Sequence, residues 1–530
     1  MKYLILISYF FIVSCSFISQ PNDVKDIDPK QLGTSIPKFK EIKFPFTHEF
    51  KEGNGFEFLG AALIDANNDG VDEVFIAGGQ GQDKLFHYKN SEFEIVNEKD
   101  FLSSEVSYGV LSIDYNNDGK TDLIICRNDG IYLFLNKGNF EFKEKKLDFD
   151  FGEDTTAIAV TAGDINNDGY FDFYFSTFIN SSKFKKATFN EKGHGKPNKL
   201  FVSKFDQNKL TYINQTNSSG TAVDQNTFLS SFIDFDNDGD LDIVAALNTG
   251  RPAVFRNDNK ERFTLLPRLS EHGFWMGLAI CDFSSNGYQD IFMSNAGNTI
   301  PKRFVRGDLT DDQKVDVEWL LSEYNETKDG FINRSKERGL NSLEFAWGAG
   351  CADLNRDSTN DLVVMENYRG WFVHKWSKAA GRFMLNHDGK FHSVTSITKT
   401  ENYNFGLIPL ISDFNNDGYY DMIYINVLSE ARAFINLGPV SKPDYVKIIF
   451  PETAEFIGAQ IKLTTNTNRA LHYQVSNGQG FMSDQTNSWI VGLDKNEKVE
   501  NVEVKLINNK KINLGTVQKN KTLFINSNFK

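Results

Sequence analysis

Seven short runs of this chain carry oxygen-bearing side chains at alternating positions. The first holds Asp65, Asn67, Asp69, Val71 and Glu73 around Gly70. The second holds Asp114, Asn116, Asp118, Lys120 and Asp122, and the third Asp164, Asn166, Asp168, Tyr170 and Asp172. Asp234, Asp236, Asp238, Asp240 and Asp242 form the fourth; Asp282, Ser284, Asn286, Tyr288 and Asp290 form the fifth. The last two are Asp353, Asn355, Asp357, Thr359 and Asp361, then Asp413, Asn415, Asp417, Tyr419 and Asp421. Their first residues lie 49, 50, 70, 48, 71 and 60 positions apart, so the pattern is an internal repeat and not coincidence. Hard oxygen donors at this spacing suit Ca²⁺, which takes about six to eight oxygens at ~2.3–2.6 Å. Side chains 1, 3 and 5 aim at one point, glycine at position 6 allows the sharp turn, the position-7 carbonyl turns inward, and the position-9 carboxylate closes the shell. An EF-hand would need Glu at position 12; here Ile125, Phe175 and Tyr424 stand there, between β-type segments.

Charge count ranks the loops. The run at Asp234 offers four carboxylates at ligand positions and is expected to bind tightest. Those at 114, 164, 353 and 413 offer three each, although Ser358 replaces the position-6 glycine and strains its turn. In the run at 65 either Asp72 or Glu73 could close the shell. The run at 282 has only Asp282 and Asp290 and is the weakest. Up to seven Ca²⁺ ions are expected, in a structural role, against the alternative of Asx-turns without metal.

The elements around the runs repeat as well. Small and apolar residues precede each (GVLSID, AVTAGD, GLAICD) and bulky β-formers follow (LIICR, FYFST, IFMSN), with two further strand-like pieces in most units. Four strands per ~50 residues describe a propeller blade, and small residues in the first strand suit the crowded axis. The fold expected over residues 41–440 is therefore an all-β, seven-bladed propeller. Its last blade lacks a fourth strand, which Glu41–Glu49 could supply to close the ring and remove two exposed edges. A small β domain over 441–530 would follow.

The chain has 530 residues, 57 Lys+Arg against 71 Asp+Glu, a net charge of −14, and 40% hydrophobic residues. That is enough for a large core, and the acidic excess argues against nucleic-acid partners. The seven runs hold twenty-three of the 71 acidic residues, so the surplus is clustered where cations would sit. Residues 1–14 read as a secretory signal: Lys2, then the apolar Leu4–Val13, too short to span a bilayer. Ile12-Val13-Ser14-Cys15 resembles a bacterial lipoprotein cleavage box, which would make Cys15 a lipid-bearing first residue; an ordinary cut near Ser14 or Ser16 is the alternative. Ser16 after it points by analogy to the outer membrane or cell surface, and residues 15–40 would be a tether. The remaining cysteines, Cys126, Cys281 and Cys351, are odd in number and irregularly spaced, and are expected to be buried free thiols.

Two insertions break the period. Phe178–Thr221 is locally basic and includes His194; Asn298–Leu340 contains TDDQKVDVEWLLSEYN, whose pattern predicts a helix capped by Thr310 or Asp311, with Val315, Trp319 and Leu320 on one face. A third long loop, Asn367–Gly381, carries Trp371, His374, Lys375 and Trp376. Arg306-Gly307-Asp308 is an RGD tripeptide, placed where other blades turn between strands 3 and 4. Trp275 and Trp347 are expected near the inner ring. No catalytic set emerges: there is no HExxH and no GxSxG elbow.

The Asp-rich runs resemble FG-GAP/VCBS repeats, as in integrin-like propellers. Ile457–Ile461 (IGAQI), Asn477–Ser483 (NGQGFMS), Val491-Gly492-Leu493 and Val499–Lys505 (VENVEVK) resemble the ASPIC/UnbV domain, departing from it at Asn508-Asn509-Lys510, where a Pro-Asp-Gly-like turn is usual. The pairing looks like bacterial relatives of the cartilage acidic protein family. It implies the fold and the calcium sites but no activity. The function expected is that of a calcium-binding surface lipoprotein that binds a glycan or a surface protein, as a monomer or within an envelope complex, anchored to the membrane only by its lipid. The alternatives are a Ca²⁺-dependent carbohydrate-active enzyme, such as a polysaccharide lyase working at the channel mouth, and a non-catalytic scaffold of an envelope assembly.

Overall fold

A computed structural model describes residues 27–33, 35–50, 55–184, 189–191, 193–258, 262–296, 308–328, 330–340, 345–366 and 381–525. The signal-like segment 1–14, Cys15, the first part of the 15–40 stretch as far as residue 26, Arg306 and Gly307, and the loop bearing Trp371, His374, Lys375 and Trp376 lie outside the described residues.

Seven four-stranded antiparallel blades follow one another along the chain. The first is built from Ala61–Ile64, Glu73–Ile76, Lys84–Lys89 and Glu92–Val96, and the run starting at Asp65 joins its first two strands. Each later Asp-rich run holds the same place. The seventh blade has Gly406–Ser412, Asp421–Asn426 and Glu430–Asn436, and Phe39–Thr47 adds the missing outer strand, Ile42 opposite Ala433. First strands of most successive blades pack side by side, and that of the seventh returns to that of the first. Ring closure therefore joins the two ends of the repeat and leaves no blade unpaired.

The small residues of the inner strands have a direct cause. A Cβ on Gly109 would lie 2.4 Å from the Ile158 carbonyl oxygen of the next blade; on Gly277 it would lie 2.2 Å from that of Trp347. Only glycine lets neighbouring backbones approach so closely at the axis.

Three expectations are corrected. First, Cys281 and Cys351 are not free thiols: they form a disulfide between the inner strands of blades five and six, Leu278–Cys281 and Ala346–Ala352. Among the described residues Cys126 is the free cysteine, and it is buried. Residues 70 apart in sequence are brought together because the inner strands of successive blades lie side by side; Cys281 stands one residue, and Cys351 two residues, before the first Asp of its run. Closing a loop of this length constrains the unfolded chain, so Cys281→Ser with Cys351→Ser should cost about 2–4 kcal/mol in a denaturant melt. A midpoint identical to wild type under oxidising conditions would show that the bridge contributes nothing.

Second, residues 310–319 form no helix, and Leu320–Asn325 is the third strand of blade five. Its side chains alternate. Trp319 and Leu321 enter one inter-blade core beside Phe292, whereas Leu320 and Tyr324 enter the other. A blade needs a strand buried on both faces here, and that need overrides local helical spacing. Asp308 consequently lies between strands two and three, not three and four. Third, part of the expected tether packs on the ring: Pro29–Leu32 make one helical turn capped by Asp28, and Leu32, 3% exposed, packs with Leu354 and Phe434 of the last two blades.

Beyond the ring, Asp444–Ile449 lies between Ser488–Leu493 and Lys521–Phe524, while Gln460–Thr465 lies between Ala470–Gln474 and Val499–Lys505. The turn at Asn508-Asn509-Lys510 forms without Pro-Asp-Gly: Asn509 takes φ 63°, and Leu506 N–H donates to the Lys510 carbonyl. This domain covers the face of the propeller that carries the Asp-rich loops.

Candidate metal centres

Each loop is first of all a hydrogen-bonded cage. In all seven, the position-1 carboxylate accepts the position-6 N–H at 2.7–3.0 Å. The position-7 N–H donates to the position-5 side chain, at 2.9 Å from Val71 to Asp69 and 2.8 Å from Tyr288 to Asn286. Position 9 works as a clasp. Asp242 accepts from Phe235 N–H with one oxygen and from Asn257 N–H on the third strand with the other. In the first loop Glu73, not Asp72, does this work, accepting from Ala66 N–H and pairing with His87 Nδ1 at 2.8 Å. Asp72 points away and accepts from Ser412 Oγ of the seventh blade.

Position 6 has positive φ throughout, including Ser358 at 69°. The strain at Ser358 is offset by its hydroxyl, which donates to the Gly492 carbonyl at 2.8 Å. Position 4 is left-handed in all seven loops as well, from 54° at Asn416 to 63° at Asn237, which explains the recurrent asparagine there. That side chain also ties neighbours: Asn68 donates to the Gly119 carbonyl, Asn237 to that of Gly287, and Arg356 to that of Gly418. Third-strand asparagines do the reverse. Asn136 reaches back to the Ala66 carbonyl and Asn436 to that of Leu354. The repeated Asn at both places was a visible signal whose purpose only the blade arrangement explains.

The fourth loop is the one best formed for a cation. Asp234, Asp236 and Asp242 each bring a ligand atom within 4.8 Å of the others, and Asp234 Oδ1 is buried with no hydrogen-bond partner. The donor set and the orphaned oxygen fit a hard divalent ion, and this is the loop ranked first by charge. Burial, reinforced by Asp238 and Asp236, pushes Asp234 up to about 8. Burial likewise raises Glu73 to about 9, Asp172 and Asp290 to about 8, and Asp122 to about 7. Carboxylates held this way are costly without positive charge.

The C-terminal domain supplies some of that charge and much of the grip. Lys447 Nζ lies 3.1 Å from Asp413 Oδ2 and 3.4 Å from Asn416 Oδ1, so an ammonium already neutralises position 1 of the seventh loop. Gln460 donates to Asp234 Oδ2, and Gln474 brackets the Asp234 backbone.

From this domain the segment Asn477–Gln485 enters the ring. It bonds inner strands around the axis: Asn477 with Thr161 and Ser231, Gln479 with Ile280, Gly480 with Leu278, Asp484 with Ser112, and Gln485 with Ile411 and Pro409. Ser483–Asp484 pair in parallel with Ala61–Ala62. Phe481 meets Phe58, Phe228 and Trp347, with ring centroids 5.8, 5.0 and 5.4 Å away. Trp347 is thus part of the axial packing, and Trp275, fully buried, donates Nε1–H to the Gly250 carbonyl. The channel on the loop face is plugged by protein.

Chain connectivity puts both insertions on the opposite face, since they join strands two and three. They meet there: Asn190 donates its backbone N–H to the Asp308 carboxylate and its side chain to Gln313 Oε1 at 3.0 Å.

Family models match on both parts of the chain. The FG-GAP-like repeat matches residues 65–125, 114–175 and 234–293, and ASPIC and UnbV matches residues 452–528. Integrin alpha-PS3 of Drosophila melanogaster is 42% identical over 79 residues, a match covering 12% of this chain and 7% of that protein. The chain therefore spans a small fraction of that relative's length. Among solved structures, BBS1N in complex with ARL6DN shares 10% identity at a TM-score of 0.42, covering 76% of this chain and 99% of that one. An Agrocybe aegerita lectin recognising non-reducing terminal N-acetylglucosamine shares 16% identity at 0.35, covering 69% and 84%.

Proposed function

We propose that this chain, a propeller of FG-GAP-like repeats ending in an ASPIC/UnbV domain, is a calcium-stabilised recognition module that binds a glycan or a surface protein. The observation that carries the metal is the convergence of Asp234, Asp236 and Asp242 around a buried, unpartnered oxygen. The integrin-like repeats support adhesion or recognition as the general role. Secretion, a lipid at Cys15 and display at the outer membrane or cell surface complete the proposal and rest on the N-terminal sequence. Binding is favoured over catalysis because Asn477–Gln485 fill the channel where a propeller active site would open. The partner surface is assigned to the opposite face, where the two insertions dock on each other through Asn190, Asp308 and Gln313. Loops held on a rigid scaffold are the usual place for specificity. Asp308 is engaged by Asn190 there, which argues against its use as a free RGD carboxylate.

A glycan array probed with and without Ca²⁺, followed by product analysis of each glycan bound, tests this reading. Calcium-dependent retention of intact glycan is expected. Release of unsaturated or newly reducing fragments would instead establish the carbohydrate-active enzyme.

A further inference from the structure

The position-1 aspartate of each loop has two carboxylate oxygens, and six of the seven loops use both of them internally. In those six, Oδ2 accepts the position-6 N–H. Oδ1 accepts the position-5 N–H, at 2.9–3.0 Å. The fourth loop departs from this pattern. Asp238 N–H donates to Asp236 Oδ1 at 3.3 Å instead, and Asp234 Oδ1 is left buried without a partner. Among the described residues, only this loop also brings ligand atoms of three carboxylates within 4.8 Å of one another. Buried acceptors are normally satisfied, so an oxygen released at the point of convergence is an oxygen reserved for the ion.

The C-terminal domain holds Asp234 in that arrangement. Gln474, Gln460 and Lys505 stand opposite one another on three neighbouring strands, and all three reach the fourth loop. Gln474 is 4% exposed; its Oε1 accepts from Asp234 N–H at 3.1 Å, and its Nε2 donates to the Asp234 carbonyl at 2.8 Å. Gln460 Nε2 donates to Asp234 Oδ2 at 2.7 Å. Lys505 Nζ donates to the Asn237 carbonyl at 3.1 Å, so it binds the loop backbone and not a ligand oxygen. With its backbone gripped on both sides and one carboxylate oxygen tied, Asp234 keeps Oδ1 for the cation. A ligand oriented this way loses less freedom when the ion binds. The seventh loop is the opposite case. Among the described residues it is the only other loop whose position-1 carboxylate bonds a C-terminal side chain, and that side chain is Lys447. An ammonium 3.1 Å from Asp413 Oδ2 repels a second cation, whereas the uncharged amide of Gln460 orients its carboxylate without repelling one.

We propose that Gln460 and Gln474 are positioning residues of the fourth loop's calcium site, so that ion binding there and seating of the C-terminal domain on the ring reinforce each other. This coupling rests on the calcium reading above and adds the control of one site; linkage makes it reciprocal. Calcium titration of the full chain by isothermal calorimetry, with hydrogen exchange read in parallel, tests it. Gln460→Met keeps the length of the side chain and removes the donor. It should weaken the tightest site about tenfold or more, with the number and affinity of the remaining sites unchanged. In an Asp234→Asn background, which removes that site, the same substitution should alter no other site. Calcium should also slow amide exchange in Gln460–Thr465 and Val499–Lys505 of the wild type, and do so less in Gln460→Met. Should Gln460→Met not fold, Gln460→Lys carries the comparison: it places an ammonium as Lys447 does in the seventh loop and should also weaken the tightest site. A tightest site of unchanged affinity in the variant, or an equal loss at every site, would overturn the proposal while leaving calcium in place. A wild type that binds no calcium at all would overturn the calcium reading and the coupling together.

Discussion

Removing calcium with EDTA should lower the thermal midpoint of the purified protein more than any single substitution. An ion held at 100 times its dissociation constant adds ~2.7 kcal/mol, so two or three occupied loops already exceed the cost of a large core truncation. Without a cation the carboxylates of one loop repel by roughly 3 kcal/mol per pair at ~5 Å and an effective dielectric near 20. The effect has a definite pH dependence. Burial raises Asp234, Asp172 and Asp290 to about 8 and Asp122 to about 7, whereas an unfolded aspartate titrates near ~3.9. Across that window the chelated folded chain binds more protons than the unfolded one, so its stability falls as pH rises. Acid protonates the same groups and does part of the cation's work. The midpoint drop in EDTA should therefore be large at pH 8 and small at pH 5. An unchanged midpoint at pH 8 would remove calcium from the account of this fold.

Phe481→Ala should be the most damaging single substitution tested in the C-terminal domain, at about 3–5 kcal/mol in a urea melt. The ring is fully buried at the axis, against Phe58, Phe228 and Trp347 from three different blades. Truncation would leave a hole that rigid β-sheets cannot close. Because the neighbouring Asp484 accepts from Ser112 N–H and Oγ, and Gly480 pairs with Leu278, the loss should be felt by the propeller and not only by the plug. A cost below ~1 kcal/mol would mean that the segment is not seated in the channel.

Much of this architecture was legible along the chain because it is local. The spacing of oxygens in the run from Asp234 to Asp242 depends on nine consecutive residues, so the cage, its glycine turn and its rank among the loops follow from residue types alone. Blade number and ring closure were legible for a related reason: a repeat counts itself, and the outer strand near Glu41–Glu49 matches the strand the last blade lacks, observed at Phe39–Thr47. The Trp319 region was misread because a short apolar run carries no period long enough to separate a strand from a helix. What decided it was the double-sided core of blade five.

The remaining features belong to the tertiary structure. Cys281 and Cys351 pair because the inner strands of adjacent blades lie side by side; each cysteine by itself looks like any other small core residue. The Asn477–Ser483 motif could be read from the sequence, but its destination could not, since contacts such as Thr161 with Asn477 link residues 316 apart and leave no periodic trace. The same holds for Lys447 beside Asp413 and for Gln460 beside Asp234. Local spacing determines what each loop can hold; how the C-terminal domain lies on the ring determines which loops are gripped and which is neutralised.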